Sequence, residues 1–240
     1  MGIGDRTLGF YFNYIYNPLY DYTTARTSPY RRLQQSCIER LDLQPGCRVL
    51  CVGIGTGNEI PAILNKNSRV GLAGVDMSRQ ALNRAANKAS KLGKEIELHR
   101  MDAGKLEFAG ESFDRVLCLH LTDFVPDSTR VTAEVIRVLK AGGRFVVTYP
   151  SGSGSFGLLA DIGKNIGRNL RRGRPGEAAK ELAAIVGGTF LYGPTALWLR
   201  GRRRFHKREG LEEMLAAMPL TEYSIEEDTL YQDFIVCGRK

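Results

Sequence analysis

The sequence has no paired cysteine framework: its five cysteines (Cys37, Cys47, Cys51, Cys118, Cys237) are scattered, odd in number and free of CxxC spacing. That argues against a disulfide-stapled secreted scaffold and a zinc framework, so no metal is expected and a reducing cytoplasm fits. A secretory leader pattern is missing as well. The first thirty residues carry Asp5 and six tyrosines in place of an apolar core with a cleavage site, so export is not expected. The apolar run over residues 182–199 is broken by Gly187, Gly188, Gly193 and Pro194 and is too interrupted to cross a bilayer. No internal repeat or long low-complexity tract occurs, and 43% hydrophobic with 25% charged residues is an ordinary globular balance, which argues against wholesale disorder.

What is present is one sizeable core's worth of chain, 240 residues, with an uneven charge. Residues 161–210 hold 12 Lys/Arg against 4 acids, which accounts for the whole net charge of +8. A localised excess of this kind suits an anionic partner, and membrane phosphates, nucleic acid and an acidic substrate are all admissible beside an ordinary solvated face.

Leu33, Cys37, Ile38 and Leu41 recur at helical spacing within Pro29–Leu43, and Gln44-Pro-Gly46 breaks the pattern. Strand-like and helix-like segments then alternate: strand 48–52, helix from about 57, strand 71–76, helix 78–92, strands 95–100 and 114–120, helix 128–140, strand 144–149. The alternation predicts an α/β fold, a Rossmann-like doubly wound sheet that is mostly parallel. Ser151-Gly-Ser-Gly-Ser155 marks the edge of this unit. After it come a basic, partly apolar stretch, a helix over 209–218 and two closing strands, 223–226 and 231–236, the last running antiparallel. The expected organisation is an aromatic N-terminal lid (1–30), a core (31–150), an inserted helical cap (151–208) and the last helix and strands of the core (209–240).

Three loops carry the candidate site. Gly53, Gly55 and Gly57, with Thr56, stand at alternate positions where the first strand turns into a helix, and glycine permits the positive φ and close backbone approach that such a turn needs. Gly74-Val-Asp76 ends the next strand with a carboxylate placed to accept ribose hydroxyls, and Met77 follows it. Met101-Asp102-Ala103 follows the third strand, where Asp102 can accept from an adenine amino group and Ala103 leaves room for a ring.

Val49–Gly57, Gly74–Ser78, Met101–Ala103, Ser112–Val116 and Val138–Phe145 together resemble the successive motifs of class I S-adenosylmethionine-dependent methyltransferases, over roughly residues 29–150. The resemblance implies S-adenosylmethionine as cofactor, held by Gly53, Gly55, Thr56, Gly57, Asp76, Met77, Asp102, Ala103 and Leu119. One position departs from the pattern: Cys51 stands where the family carries an acid that orients the methionine amine. A nicotinamide enzyme is the rival, but Asn58 occupies the third glycine of its Gly-x-Gly-x-x-Gly spacing.

His120 and Asp123 follow the fourth strand, from which this family reaches the transferred methyl, so either could act as base or orient the acceptor, or shape the pocket. The tyrosines of Tyr11–Tyr30 are similar to the lid of the ubiquinone/menaquinone C-methyltransferases and bacterial phosphatidylethanolamine N-methyltransferases, whose Tyr-Asp pair matches Tyr20-Asp21 and places Tyr20 near the cofactor. The expected acceptor is therefore small and lipophilic, a quinone precursor or phospholipid headgroup. The expected location is the cytoplasm, with peripheral membrane contact through the basic cap. RNA methylation and cofactor binding without transfer are the alternatives; Leu119–Asp123 has none of the Pro-Pro-Tyr or Pro-Cys loops of base-modifying enzymes.

Overall fold

The computed structural model describes residues 20–21, 24, 28–151, 156–183, 186, 205–228 and 231–240. They divide into two compact units, one drawn from Gln34–Gly152, Arg203–Asp228 and Gln232–Lys240, the other from Met1–Leu33, Ser153–Arg202 and Thr229–Tyr231.

The first unit is built on a 7-stranded sheet. Its strands are β1 (Arg48–Val52), β2 (Gly71–Asp76), β3 (Glu97–Arg100), β4 (Phe113–Cys118), β5 (Leu139–Pro150), β6 (Glu222–Asp228) and β7 (Asp233–Arg239), in the order β3-β2-β1-β4-β5-β7-β6. Pairing is parallel from β3 through β5, and β7 runs antiparallel to both its neighbours. The short apolar run of β1 is buried at Val49, Leu50, Cys51 and Val52, as a central parallel strand covered on both faces must be.

Helices α1 (Ser28–Arg40), α2 (Glu59–Lys66), α3 (Arg79–Lys91) and α4 (Ser128–Val138) precede or connect these strands. Ser78 caps α3 by accepting from the Ala81 amide at 3.2 Å, and Ala81, Leu82, Ala85 and Ala89 form its buried face. Asp127 caps α4 in the same way through the Arg130 amide at 3.0 Å. A core of Leu50, Val75, Phe113, Val116, Val135, Phe145, Val147 and Val236 packs with the fully buried Tyr149, whose hydroxyl meets Thr132 Oγ1 at 2.5 Å.

Several boundaries differ from expectation. β4 stops at Cys118 rather than at residue 120, so Leu119 and His120 lie beyond the sheet. Helix α4 ends at Val138 because Leu139 already pairs with Phe113, and a register shift between Phe113 and Arg115 absorbs Lys140–Gly143. The closing strands are longer than expected: β6 runs from Glu222 to Asp228, and β7 from Asp233 to Arg239. Helix α6 (Arg208–Ala216) resumes the first unit and buries Leu211 and Leu215.

In the second unit, α5 (Phe156–Arg171) ends at Gly173, with φ of 65°, and Pro175 opens the helical residues 175–183. Asn169 Nδ2 and Glu181 Oε1 join the two segments at 3.5 Å. Tyr20 and Tyr30 meet through their hydroxyls at 3.2 Å with rings edge to face, and Tyr30 is buried. Phe10, Tyr11, Phe12, Tyr14, Tyr16 and Tyr22 of the expected lid, and the stretch 187–204 of the expected cap, lie outside the described residues.

Candidate functional site

Strand order reverses between β2 and β4 on either side of β1, which opens a crevice beyond the carboxyl ends of these strands. The three loops singled out by sequence converge at this edge.

Gly53, Gly55 and Gly57 all take positive φ, at 70°, 53° and 77°. Their surroundings differ. A Cβ on Gly57 would meet Ile60 Cδ1 at 2.5 Å and Ala85 Cβ at 2.9 Å, so Gly57 lets α2 and α3 close on the loop. A Cβ on Gly55 would meet no described atom nearer than the Gly53 carbonyl oxygen at 3.9 Å, whereas one on Gly53 would meet the Leu121 side chain at 3.0 Å, so the loop is open at Gly55. Thr56 is buried and its hydroxyl accepts from Lys88 Nζ at 3.2 Å, while the same ammonium donates to Asn58 Oδ1 at 2.6 Å.

Asp76 ends β2 beside this loop. Its Oδ2 accepts from the Gly55 amide at 2.9 Å and its Oδ1 from the Ser78 amide at 2.8 Å. Burial pushes its pKa above the usual 3.8, against the pull of the Ser78, Gly55 and Met77 amides. Met77 is 59% exposed, an uncovered apolar side chain at the rim. Asp102 is exposed and accepts from the Gly104 amide at 2.8 Å, a local turn that fixes its carboxylate, whereas Ala103 is buried in the main core cluster.

Beyond β4, Leu119 is buried and His120 adopts φ of 53°, a left-handed conformation that costs a non-glycine residue about 1–3 kcal/mol and gathers at functional sites. The turn is tied to β5 twice: the His120 amide donates to Thr148 Oγ1 at 2.9 Å, and Thr122 Oγ1 donates to the Thr148 carbonyl at 2.7 Å. The His120 ring is in turn held by a residue that sequence reasoning missed. Its Nδ1 lies 3.0 Å from Oδ2 of Asp233, the first residue of β7, with side-chain exposures of 12% and 4%. Burial works against a charged ring, but the Asp233 contact and the carboxylates of Asp123 and Glu59 outweigh it and hold the His120 pKa above 6.5.

Glu59, on the first turn of α2, was also missed; an acid there reads as an ordinary helix-dipole partner, and its burial shows only in the fold. It lies within electrostatic reach of Cys51, Cys118 and His120. Cys51 itself is buried between Gly74 of β2 and Leu117 of β4 in the register of the sheet. Burial, with Glu59 and Cys118 behind it, pushes its thiol well above the usual range, so it is an uncharged thiol and not a substitute anion. Tyr20 belongs to the other unit.

Comparison with known proteins agrees with this geometry. Residues 50–147 match a methyltransferase domain family. The phosphatidylethanolamine N-methyltransferase of Cereibacter sphaeroides is 38% identical over 133 residues, 54% of this chain and 62% of that protein. The ubiquinone/menaquinone biosynthesis C-methyltransferase of Desulfotalea psychrophila is 39% identical over 104 residues, 42% of this chain and 41% of that protein. This chain thus spans less than two thirds of the length of either. Among solved structures, the magnesium protoporphyrin IX methyltransferase of Synechocystis, crystallised with its methyl donor bound, aligns over 100% of this chain and 98% of its own, with a TM-score of 0.64 at 13% identity, a likeness of fold.

Proposed function

We propose that this protein, whose residues 50–147 match a methyltransferase domain family, transfers the methyl group of S-adenosylmethionine to a small, lipophilic acceptor. The observation that carries the reading is the unfilled space over Gly55, bounded by the Asp76 carboxylate. A nucleoside-bearing cofactor fits such a place: glycine gives it room, and the two carboxylate oxygens of Asp76, with about four lone-pair sites between them, keep capacity beyond the Gly55, Ser78 and Met77 amides. In this reading Gly53, Gly55, Thr56 and Gly57 cradle the cofactor, Asp76 takes the ribose, Met77, Asp102 and Ala103 border the adenine, and Leu119 closes the side below β4.

S-adenosylmethionine held there would supply an electrophilic methyl carbon on a sulfonium, whose C–S electron pair would return to sulfur as a neutral thioether when an electron pair of the acceptor takes the methyl. The chain's own work is alignment, exclusion of water and removal of any proton released by the acceptor. His120 and Asp123 border the end of β4, where that proton would be taken. A quinone precursor or a phospholipid headgroup is the acceptor class favoured by the two curated relatives and by the basic residues of 161–208, which suit a phosphate-bearing surface.

The test is calorimetric titration with S-adenosylmethionine, followed by an assay of methyl release onto dispersed phosphatidylethanolamine and demethylmenaquinone. Saturable binding with turnover on either lipid is expected. Binding without turnover on any lipid or RNA leaves a cofactor-binding protein, and turnover on RNA alone replaces the lipid reading.

A further inference from the structure

We infer that Asp233 is the positioning residue of a His120–Asp233 dyad, in which the carboxylate fixes the ring so that its Nε2 receives the proton released from the acceptor. The inference rests on the methyl-transfer reading above and adds to it a residue from the far end of the chain.

Three observations converge. The side chains meet at 3.0 Å through His120 Nδ1 and Asp233 Oδ2 although 113 positions separate them, and both are largely buried. A carboxylate facing Nδ1 favours the tautomer with its proton there, which puts the ring's lone pair on Nε2. His120 itself sits at a strained position, with φ of 53°, and the residue before Asp233, Gln232, has φ of 68°. Backbone held in that region at His120 is over-determined by its surroundings, since the turn after β4 is pinned to Thr148. The third observation is placement. β4 and β7 flank β5 on its two sides, so the contact crosses the end of β5 at the carboxyl edge of the sheet, where the glycine loop also lies.

The proton balance is simple. An acceptor atom that carries hydrogen gains a methyl and must lose one proton; the proton bonds to Nε2, and the imidazolium so formed is stabilised by Asp233, which remains a carboxylate. Asp123 and Glu59 face the same ring electrostatically and share in setting its basicity, so a change at Asp233 should reduce that basicity without abolishing it.

The tautomer and titration of His120 can be read directly by long-range proton–nitrogen NMR on the full chain, which has only three histidines, His99, His120 and His206. We expect the Nδ1–H tautomer in the unaltered protein. In Asp233→Asn the His120 titration should move to lower pH, and the acidic limb of the kcat profile should move with it. The same variant should lose roughly tenfold or more in kcat, with KM for S-adenosylmethionine within about twofold, and Asp233→Glu should recover part of the loss. An Nε2–H tautomer in the unaltered protein overturns the dyad even if no variant folds. So does a His120 titration that Asp233→Asn leaves in place, and so does a shifted titration with an unshifted rate profile. Failure of the methyl-transfer reading would look different: no turnover at all, with the His120 tautomer as expected.

Discussion

The Asp76 carboxylate latches the glycine loop: its Oδ2 accepts from the Gly55 amide at 2.9 Å, so the acid at the end of the second strand sets the backbone of the turn after the first. In the proposed reading one residue therefore has two tasks, to shape the loop and to meet the cofactor. Asp76→Ala should weaken S-adenosylmethionine binding by roughly 1.5–3 kcal/mol, the scale of hydrogen bonds to a charged group. Isothermal titration of a variant with unchanged circular dichroism checks this, and wild-type affinity would remove Asp76 from the site.

Gly55 and Gly57 are two residues apart and should fail differently. Gly57→Ala drives a Cβ into Ile60 and Ala85 at a φ of 77°, so it should destabilise the fold by about 1–3 kcal/mol, read as a lower denaturation midpoint. In Gly55→Val the added Cβ meets no described protein atom closer than 3.9 Å, so the variant should fold, strained by about 1–2 kcal/mol at φ of 53°, with its cofactor binding blocked. Normal binding by folded Gly55→Val would mean that the cofactor does not run over this loop.

Why some of this was legible in the sequence is a matter of range. The glycine loop, Ser78 and its small-residue helix face, and the alternation of strands and helices are local patterns, and each stands where its spacing predicts. The helix expected to 140 and the strand expected from 144 left the start of β5 unseen, because Leu139 pairs with Phe113 and the next pair with β4 is Arg144 with Arg115, a register shift that no local pattern announces. Asp233 was illegible for a different reason: an acid opening a strand looks like an edge charge until the antiparallel insertion of β7 beside β5 brings it to His120. Glu59 likewise needed its burial to be seen.

The His120–Asp233 contact has a stability signature whose sign follows from the ring's raised pKa. A group more easily protonated in the folded than in the unfolded chain contributes stability that is fully present below its unfolded value, near 6.5, and is lost as pH rises through the higher folded value. His120→Gln removes that contribution. The gap in urea midpoint between His120→Gln and the unaltered protein should therefore be wider at about pH 5.5 than at about pH 8.5. A gap that is constant or widens toward alkaline pH would contradict the raised value.

The last prediction concerns the basic stretch. In α5 and the turn after it, Lys164, Arg168, Arg171, Arg172 and Arg174 are exposed, and Leu170 and Leu182 are 55% and 56% exposed beside them. Cations next to uncovered apolar side chains suit the headgroup region of an anionic bilayer, where each basic residue near the surface gains about 1 kcal/mol. None of the described helices is long and apolar enough to cross the membrane, so any contact made by them is peripheral. Co-sedimentation with phosphatidylglycerol-containing vesicles should exceed that with neutral vesicles and fall as salt shortens the screening length below about 10 Å. Replacing Arg171, Arg172 and Arg174 together by Gln removes about 3 kcal/mol of attraction, so the anionic partition coefficient should drop by about 100-fold. Cofactor affinity should hold, because the glycine loop is part of the other unit. Equal sedimentation with neutral and anionic vesicles would reduce the stretch to a solvated face. Binding to duplex RNA at matched salt, with none to vesicles, would instead make the anionic partner a nucleic acid.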